Sequence, residues 1–168
     1  NEYAATDHGG SVFINAQGDQ ISATTTAIGS GNFTLEAWIY PIAQTGYQSI
    51  WASNYNSNPS FAFYQNGTSI NIWTVDSGGS NNRSTSGTII ENAWNHVVWQ
   101  RHDIFNNNNN KVFLNGVETT SFTDSTNFSN TLMLLGSHNS TGSGVYEFHG
   151  YISDARFIRS AQYTSGNF

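Results

Sequence analysis

The sequence predicts an all-β protein with the architecture of a two-sheet antiparallel β-sandwich, or jelly roll. Apolar and polar residues alternate in short runs separated by polar turns, which is typical of half-buried strands. Strong helix formers are scarce, with five Leu, one Met and one Lys, and Asn, Ser and Thr make up 60 of the 168 residues. Those three residue types favour turns over helix interiors. A closed barrel is the alternative that this pattern leaves open.

Ten segments carry the alternation and are predicted as strands. Their boundaries are residues 11–15, 20–23, 33–40, 49–52, 61–65, 69–74, 94–101, 111–114, 132–136 and 146–158, the last interrupted by a bend. In residues 33–40 the odd-numbered side chains should face the core, because successive side chains of a strand point to opposite faces. The even-numbered set places Glu36 on the same face as Trp38 and Tyr40.

Two hairpin turns and four polar loops connect the predicted strands. Asn66-Gly67 and Asn115-Gly116 are predicted as type I′ turns, because that turn needs positive φ at both central residues. The segments 54–59, 76–87, 106–110 and 137–144 consist largely of Asn, Ser, Thr and Gly. These segments are predicted as loops.

Length and composition indicate how many domains the protein has and which classes of partner it can bind. The 168 residues, 37% of them hydrophobic, suit one domain over residues 1–168. Five Lys and Arg against eleven Asp and Glu give a net charge of −6, too few cations for nucleic acid or an anionic membrane surface. The longest apolar run, residues 132–135, is far below the roughly 20 residues that span a bilayer, so no membrane insertion is expected.

Several sequence blocks resemble one known family. They follow the order and spacing of the laminin-G-like (LamG) jelly rolls within the concanavalin A-like lectin/glucanase class. The blocks are SVFIN at 11–15, GDQIS at 18–22, NFTLEAWIYP at 32–41, WNHVV at 94–98, VFLNGV at 112–117 and GYISDARF at 150–157. The resemblance implies a concanavalin A-like fold over nearly the whole chain. It assigns no function, because this fold carries lectins, hydrolases, lyases and adhesion modules.

The closing stretch resembles a narrower group. GYIS at 150–153 followed by YTSGNF at 163–168 is similar to laminin-G-like modules of bacteriophage and other virion proteins. The chain has no cysteine, which fits that group and departs from the disulfide-bearing laminin-type modules of animals. The resemblance implies an extracellular or virion-surface location. Because the chain begins without methionine, we expect it to be a module of a longer protein.

The acidic residues do not form the pair that glycoside hydrolysis requires. A retaining glycosidase needs two carboxyl groups about 5 Å apart, which on one strand means acids at alternate positions. Glu36, Glu91, Glu118, Glu147 and Asp154 each stand alone. Composition leaves Ser-His-Asp chemistry open, but no segment resembles a nucleophile elbow. The sequence predicts a protein that is not an enzyme.

A structural calcium ion (Ca2+) is expected from the resemblance. In laminarinase-like relatives an acidic residue placed as Asp154 is, just before an arginine of the closing strand, holds such an ion with backbone oxygens near the first strand. Asp19, next to Gly18, is a second candidate, because calcium takes about six to eight oxygen ligands from carboxylates and carbonyls. An Asp-containing turn, or pairing of Asp154 with Arg156 or Arg159, explains the same residues without an ion.

Aromatic residues beside polar loops predict a carbohydrate site. Sugar rings stack their apolar faces on aromatic side chains, while amides and carboxylates bind the sugar hydroxyls. Trp38 and Trp94 lie in family blocks and are interpreted as packing residues. The candidate ligand-binding residues are Tyr47, Tyr55, Trp73, Asp76 and Arg83.

Together these features predict a non-catalytic recognition module. Its expected partner is a glycan or cell-surface polysaccharide, and its expected setting is a phage virion or another extracellular assembly. Neighbouring virion subunits are a second kind of expected partner. The alternative function is a structural or decoration module that mediates protein–protein contacts in a virion without binding sugar.

Overall fold

The structure, a computed structural model, describes residues 4–53, 59–103, 109–138, 146–164 and 167–168. Within these ranges lie one helical turn, α1 (Ala5–His8), and twelve strands. The strands are β1 (Val12–Ile14), β2 (Ile21–Thr24), β3 (Phe33–Pro41), β4 (Tyr47–Ser53), β5 (Ser60–Asn66), β6 (Ser69–Asp76), β7 (Gly79–Ser84), β8 (Asn95–Arg101), β9 (Asn110–Leu114), β10 (Val117–Phe122), β11 (Leu132–Leu135) and β12 (Gly150–Ile158).

The strands form two antiparallel sheets of six. The first sheet has the order β1-β12-β3-β8-β9-β10, and the second has the order β2-β11-β4-β5-β6-β7. Each sheet keeps two edges instead of closing on itself. The predicted two-sheet sandwich is confirmed, and the barrel alternative is wrong.

The core lies between the two sheets. Phe33, Leu35, Ala37 and Ile39 of β3 are fully buried there, as the alternation along residues 33–40 predicts. Trp99 of β8 meets Phe33 edge-on, with ring centroids 4.9 Å apart. A fully buried Phe, Leu or Ile side chain contributes about 1.5–3 kcal/mol. The inner faces are therefore committed to stability, which leaves the outer faces and loops for recognition.

Two strands of the structure are not predicted by the sequence analysis. β7 lies within residues 76–87, which were expected to be a loop, and β10 follows the second hairpin. Both are edge strands, and their side chains are mostly exposed or half-buried. A largely exposed edge strand does not need alternating apolar and polar residues, because neither of its faces has to be fully buried. The loop prediction for residues 76–87 is wrong over about half of its length.

The closing strand begins later than predicted. β12 starts at Gly150, and residues 146–149 form no strand. The predicted bend is confirmed, because the pairing of β12 with β3 shifts register between Ser153 and Arg156. Asp154, inside this bulge, has a positive φ of 45°. Such bulges bend a strand and re-aim its side chains.

One of the two predicted hairpin turns is confirmed at the predicted residues. Asn115 and Gly116 have φ values of 51° and 80°, and Leu114 pairs with Val117 around them, as a type I′ turn requires. In the other hairpin the prediction is wrong by one residue. Asn66 itself pairs with Ser69, so Gly67 and Thr68 occupy the centre, and of these only Gly67 has positive φ, at 57°.

The segment after β12 covers part of the outer face of the first sheet. Gln162 and Tyr163 donate their backbone N–H groups to Gln100 Oε1, at 2.7 and 2.8 Å. Further along, Phe168 N donates to Gly116 O at 2.8 Å, and the Phe168 ring stacks on Tyr163 with centroids 3.7 Å apart. This cover explains why outward-facing residues of β3, which alternation alone would expose, are buried.

Candidate functional site

The outer face of the second sheet carries a groove lined by four aromatic side chains. They are Tyr47 on β4, Tyr64 on β5, Trp73 on β6 and Tyr146, which precedes β12; Ser49, Ala62, Asn82 and His138 complete the lining. We call these eight residues the aromatic groove. It encloses about 280 Å³. Antiparallel pairing brings its members together, since Ser49 faces Tyr64 and Trp73 faces both Ala62 and Asn82.

The rings of the groove support one another at angles. Tyr47 lies 5.4 Å from Tyr64 and 5.5 Å from Tyr146, measured between ring centroids. His138 meets Tyr146 at 4.6 Å in an edge arrangement. Tilted and edge contacts of this kind stabilise aromatic clusters. The same rings line the groove, where they offer aromatic surface to an apolar face of a ligand.

Polar groups are set among the rings. The Tyr64 hydroxyl donates to Asn82 Oδ1 at 2.9 Å, which leaves the Asn82 amide NH2 as a donor. Burial raises the pKa of Tyr64 above its usual value, so the phenol stays protonated at neutral pH. The groove therefore combines apolar faces with neutral hydrogen-bonding groups.

Tyr146 joins the groove through an unusual backbone conformation. Its φ is 99°, a region that residues other than glycine rarely occupy. Its carbonyl accepts a hydrogen bond from Ser49 N at 2.8 Å, which ties the residue to β4. Strained residues often occur at binding sites. The sequence analysis missed Tyr146 as a ligand candidate, because the residue was assigned to a strand that in fact begins at Gly150.

The structure divides the predicted ligand-binding residues between two places. Tyr47 and Trp73 line the aromatic groove. Asp76 and Arg83 line a separate polar cavity of about 600 Å³ at the β7 edge. Tyr55 lies outside the described residues. The division arises because β7 is a strand, so neighbouring side chains such as those of Asn82 and Arg83 take opposite faces.

Both polar candidates have structural partners. Asp76 Oδ1 accepts the backbone N–H of Gly78 at 2.7 Å, which closes the turn before β7. Arg83 forms an ion pair with Asp124 at 3.2 Å and lies over the Phe122 ring, 4.3 Å from its centroid. The two Arg83 contacts fasten the edge of the second sheet to the end of β10 and to the segment that follows it.

A buried carboxylate marks the outer face of the first sheet. Glu36 is 2% exposed and accepts hydrogen bonds from the Tyr163 hydroxyl at 2.5 Å and from Arg156 Nε. His96 Nε2 lies 3.4 Å from the same carboxylate. Burial alone would raise the pKa of Glu36, but hydrogen bonds from His96, Tyr163 and Arg156 hold it below its ordinary value. This arrangement anchors the closing segment to β3.

The lowered pKa predicts acid sensitivity. A carboxyl whose folded pKa lies below its unfolded value stabilises the fold above the unfolded pKa, and this contribution disappears as pH falls through the folded pKa. We expect Glu36→Gln to cost about 1–3 kcal/mol at neutral pH and to flatten the loss of stability below about pH 4.5. Urea denaturation at several pH values measures both effects.

The matched control for that prediction is Glu118→Gln. Glu118 pairs with Lys111 at 2.6 Å on the same sheet, but both side chains are partly exposed. Exposed pairs contribute about 0–1 kcal/mol. An equal effect of the two variants, or an unchanged acid profile for Glu36→Gln, would contradict the anchoring role.

The two predicted calcium ligands lie in different surroundings. Asp19 Oδ2 accepts the backbone N–H groups of Asn15 and Ala16 at 3.1 and 3.0 Å, the hydrogen bonds of an Asp-containing turn. Asp154 lies in the β12 bulge, and its neighbour Ser153 donates to Gly10 O just before β1. No three His, Asp or Glu side chains gather as metal ligands within the described ranges. Calcium stays a prediction from the resemblance.

Chelation tests that prediction. If an ion binds the native state at Asp154, its removal should lower the free energy of unfolding by about 2–3 kcal/mol when calcium had been near 100 times its Kd. Thermal unfolding is measured with calcium and after exhaustive chelation, and Asp154→Asn should abolish the difference. An identical Tm in calcium-loaded and verified metal-free protein would contradict a coupled site.

The sandwich and its grooved face define a concanavalin A-like domain. Residues 15–162 match the Laminin_G_3 family model, described as the concanavalin A-like lectin/glucanases superfamily, and the chain belongs to this family. The predicted family and fold are thereby confirmed. A comparison with curated proteins finds no significant match. The described part of the chain has no helix long and apolar enough to cross a membrane.

Solved structures with this fold include several sugar-binding modules. The CBM40 of Ruminococcus gnavus IT-sialidase, bound to α2,3-sialyllactose, has a TM-score of 0.68 at 16% identity, covering 92% of this chain and 95% of that one. Domain 4 of AbnA, an extracellular arabinanase of Geobacillus stearothermophilus, in complex with arabinotriose, gives 0.61 at 17%, covering 92% and 84%. Domains LG4-5 of the mouse laminin α1 chain give 0.67 at 13%, covering 91% and 44%. At such identities these likenesses establish the fold alone.

Proposed function

We propose that this domain is a non-catalytic module that binds glycans through the aromatic groove, as part of a phage virion or another extracellular assembly. The observation that carries the proposal is the groove itself. Four aromatic side chains and several neutral polar groups converge on one outer sheet face. Its members come from five separate segments of the chain, and the fold brings them together.

The groove matches the chemistry of a sugar ring. A pyranose has an apolar C–H surface suited to aromatic faces and a rim of hydroxyls suited to amide and hydroxyl groups. Tyr64 and Asn82 supply a fixed polar pair, and Trp73 and Tyr47 supply ring surface. A volume of about 280 Å³ is at the small end of ligand sites and suits a short stretch of glycan. Weak single-site binding would be raised by repetition in an assembly.

The nature of the structural relatives supports this proposal. Two of them are described in complex with sugars, α2,3-sialyllactose in one case and arabinotriose in the other. Those ligands are properties of those proteins. They favour a sugar as the class of ligand here, while the location of the site rests on this chain's own groove.

The surroundings of Glu36 favour binding over hydrolysis. This carboxylate is buried beneath the closing segment and held by Arg156, Tyr163 and His96. Such a group cannot approach a glycosidic bond without displacing that segment. The remaining acids form no alternate pair along a strand. We expect the module to bind polysaccharide and to release no reducing ends.

One observation favours the alternative, a structural or decoration module. On the outer face of the first sheet Phe13 and Tyr151 are 42% and 38% exposed, and their rings stack at 4.7 Å. Tyr40 extends this aromatic strip, 6.0 Å from Tyr151. An exposed apolar strip of this kind suits a protein neighbour.

A glycan array with parallel polysaccharide pull-down distinguishes the two functions. The proposed function predicts binding to at least one glycan class, which Trp73→Ala weakens and Tyr151→Ala leaves unchanged. A blank array for folded protein, together with incorporation into an assembly that Tyr151→Ala prevents, would establish the structural alternative. Reducing ends that disappear when a single acidic residue is replaced would show that the protein is an enzyme.

A further inference from the structure

We infer that the aromatic groove selects uncharged sugars and discriminates against carboxylated or sulfated ones. This inference rests on the proposed function and specifies its ligand class. Its basis is the location of every cationic residue in the chain. An acidic sugar that gives up water to stack in the groove requires a counter-charge or dense hydrogen bonding to the anion.

The chain has five cationic side chains, Arg83, Arg101, Lys111, Arg156 and Arg159. None of them lines the groove. The segments that the structure does not describe contain neither Lys nor Arg. Those segments therefore supply no Lys or Arg side chain to any site.

Two of the arginines are engaged inside or at the edge of the sandwich. Arg101 is 2% exposed, and its guanidinium donates to the carbonyl oxygens of Gly29, Gly31 and Thr126 at 2.7 to 2.9 Å. Arg83 is paired with Asp124 in the polar cavity, on the face of β7 opposite to the groove. Neither group can reach a ligand in the groove without breaking these contacts.

The other three cations belong to the first sheet. Lys111 on β9 pairs with Glu118, and Arg156 on β12 pairs with Glu36. Arg159 directly follows β12. The groove lies on the outer face of the second sheet, so the thickness of the sandwich separates it from Lys111 and Arg156, and Arg159 is not among its lining residues.

The titratable groups at the groove do not replace a cation. His138 lines the groove and is 7% exposed. Burial lowers the pKa of His138, although the nearby Glu147 carboxylate opposes the shift, so the imidazole is neutral at pH 7. The Glu147 carboxylate acts electrostatically on His138 at this end of the groove, and its charge has the same sign as that of an acidic sugar. An acidic sugar would meet repulsion here and lose its hydration without compensation.

The expected preference for uncharged sugars differs from the ligand of a structural relative that shares the fold. The R. gnavus module is described bound to a sialylated sugar, which carries a carboxylate. Similarity of fold does not transfer a ligand, because the ligand depends on the side chains of the site. Here those side chains are aromatic, hydroxyl, amide and neutral imidazole groups.

Matched glycan pairs test the inference. Lactose with 3′-sialyllactose, and N-acetyllactosamine with 6-sulfo-N-acetyllactosamine, share neutral portions and differ in charge. Across an array built from such pairs, we expect each bound neutral glycan to bind at least about tenfold more tightly than its anionic partner, with little change between low and high salt. Equal or tighter binding of the anionic partners would overturn the inference and leave the proposed function standing. Binding of no glycan would overturn both.

A pair of arginine variants supplies the internal control. Asn82 and Asn81 are exposed neighbours on β7, but Asn82 lines the groove and Asn81 lines the polar cavity on the other face. Asn82→Arg should reduce the preference for neutral glycans by at least about threefold through a local counter-charge, and Asn81→Arg, with the same net charge, should leave it unchanged. An equal effect of both variants, or none from a folded Asn82→Arg, would contradict local charge selection.

Discussion

Replacing Gly150 with alanine is expected to destabilise the protein by about 3 kcal/mol or more, because overpacking typically costs about 1–3 kcal/mol and a strained backbone angle costs about another 1–3 kcal/mol. Gly150 has a φ of 149° and pairs with Ile14 on one side and Pro41 on the other. A Cβ atom there would lie 2.0 Å from the Tyr40 carbonyl oxygen. Backbone cannot yield as a flexible side chain can, so the β3–β12 pairing would have to move. Chemical denaturation measures the loss.

The control for this prediction is Gly10→Ala. A Cβ at Gly10 meets no atom within 4 Å, and its φ lies outside the positive region. This substitution should change the free energy of unfolding by no more than about 0.5 kcal/mol. If Gly150→Ala were equally mild, the close approach of β12 to β3 would not be a constraint on this fold.

Replacing Trp73 with alanine is expected to weaken glycan binding by about 1–3 kcal/mol, the contribution of an aromatic contact in a binding site. Trp73 presents its ring to the groove while packing on the small apolar cluster that contains Ala62 and Leu134. Tyr47→Ala should act in the same direction, since Tyr47 is 47% exposed and its ring adjoins both Tyr64 and Tyr146. Isothermal titration with a glycan identified on the array measures both losses.

The matched control is Tyr151→Ala on the opposite face of the sandwich. Tyr151 is 38% exposed, so the two tyrosine variants remove similar surfaces. Thermal unfolding of each variant separates lost binding from lost stability. If Tyr47→Ala and Trp73→Ala bind as the parent does, the groove is not the site. Tyr55→Ala then tests the remaining sequence-predicted aromatic residue.

The central strands could be predicted because the alternation of apolar and polar residues along them reflects which side chains face the core. Residues 33–40 alternate, and the structure buries Phe33 and Leu35 between the sheets. The edge strands could not be predicted in the same way. The β7 sequence, Gly79–Ser84, is entirely polar, and only the backbone ladder with β6 makes it a strand. A ladder of backbone hydrogen bonds leaves no signature in side-chain chemistry.

The candidate site could be predicted only in part, for a related reason. Tyr47 and Trp73 were identifiable as aromatic residues beside polar segments. Their companions Tyr64 and Tyr146 depend on strand pairing and on an unusual backbone angle. The sequence predicts Asp76 and Arg83 at the same site, but Asp76, at the end of β6, and Arg83, on β7, line another cavity.

The sequence by itself determined the two-layer β architecture, the Asn115-Gly116 turn and the inventory of charge. The alternation of apolar and polar residues and the residue preferences of turns depend on residues that are close in the sequence. The number of cationic residues, five, is the same in any fold. Only the tertiary structure decided where those cations lie, that Glu36 is buried beneath the closing segment, and that four distant aromatic side chains share one groove. These outcomes depend on which strands pair and in which register. A shift of one residue reverses the face of every side chain on a strand, so that choice is made by the assembled sheets and not by any local stretch of sequence.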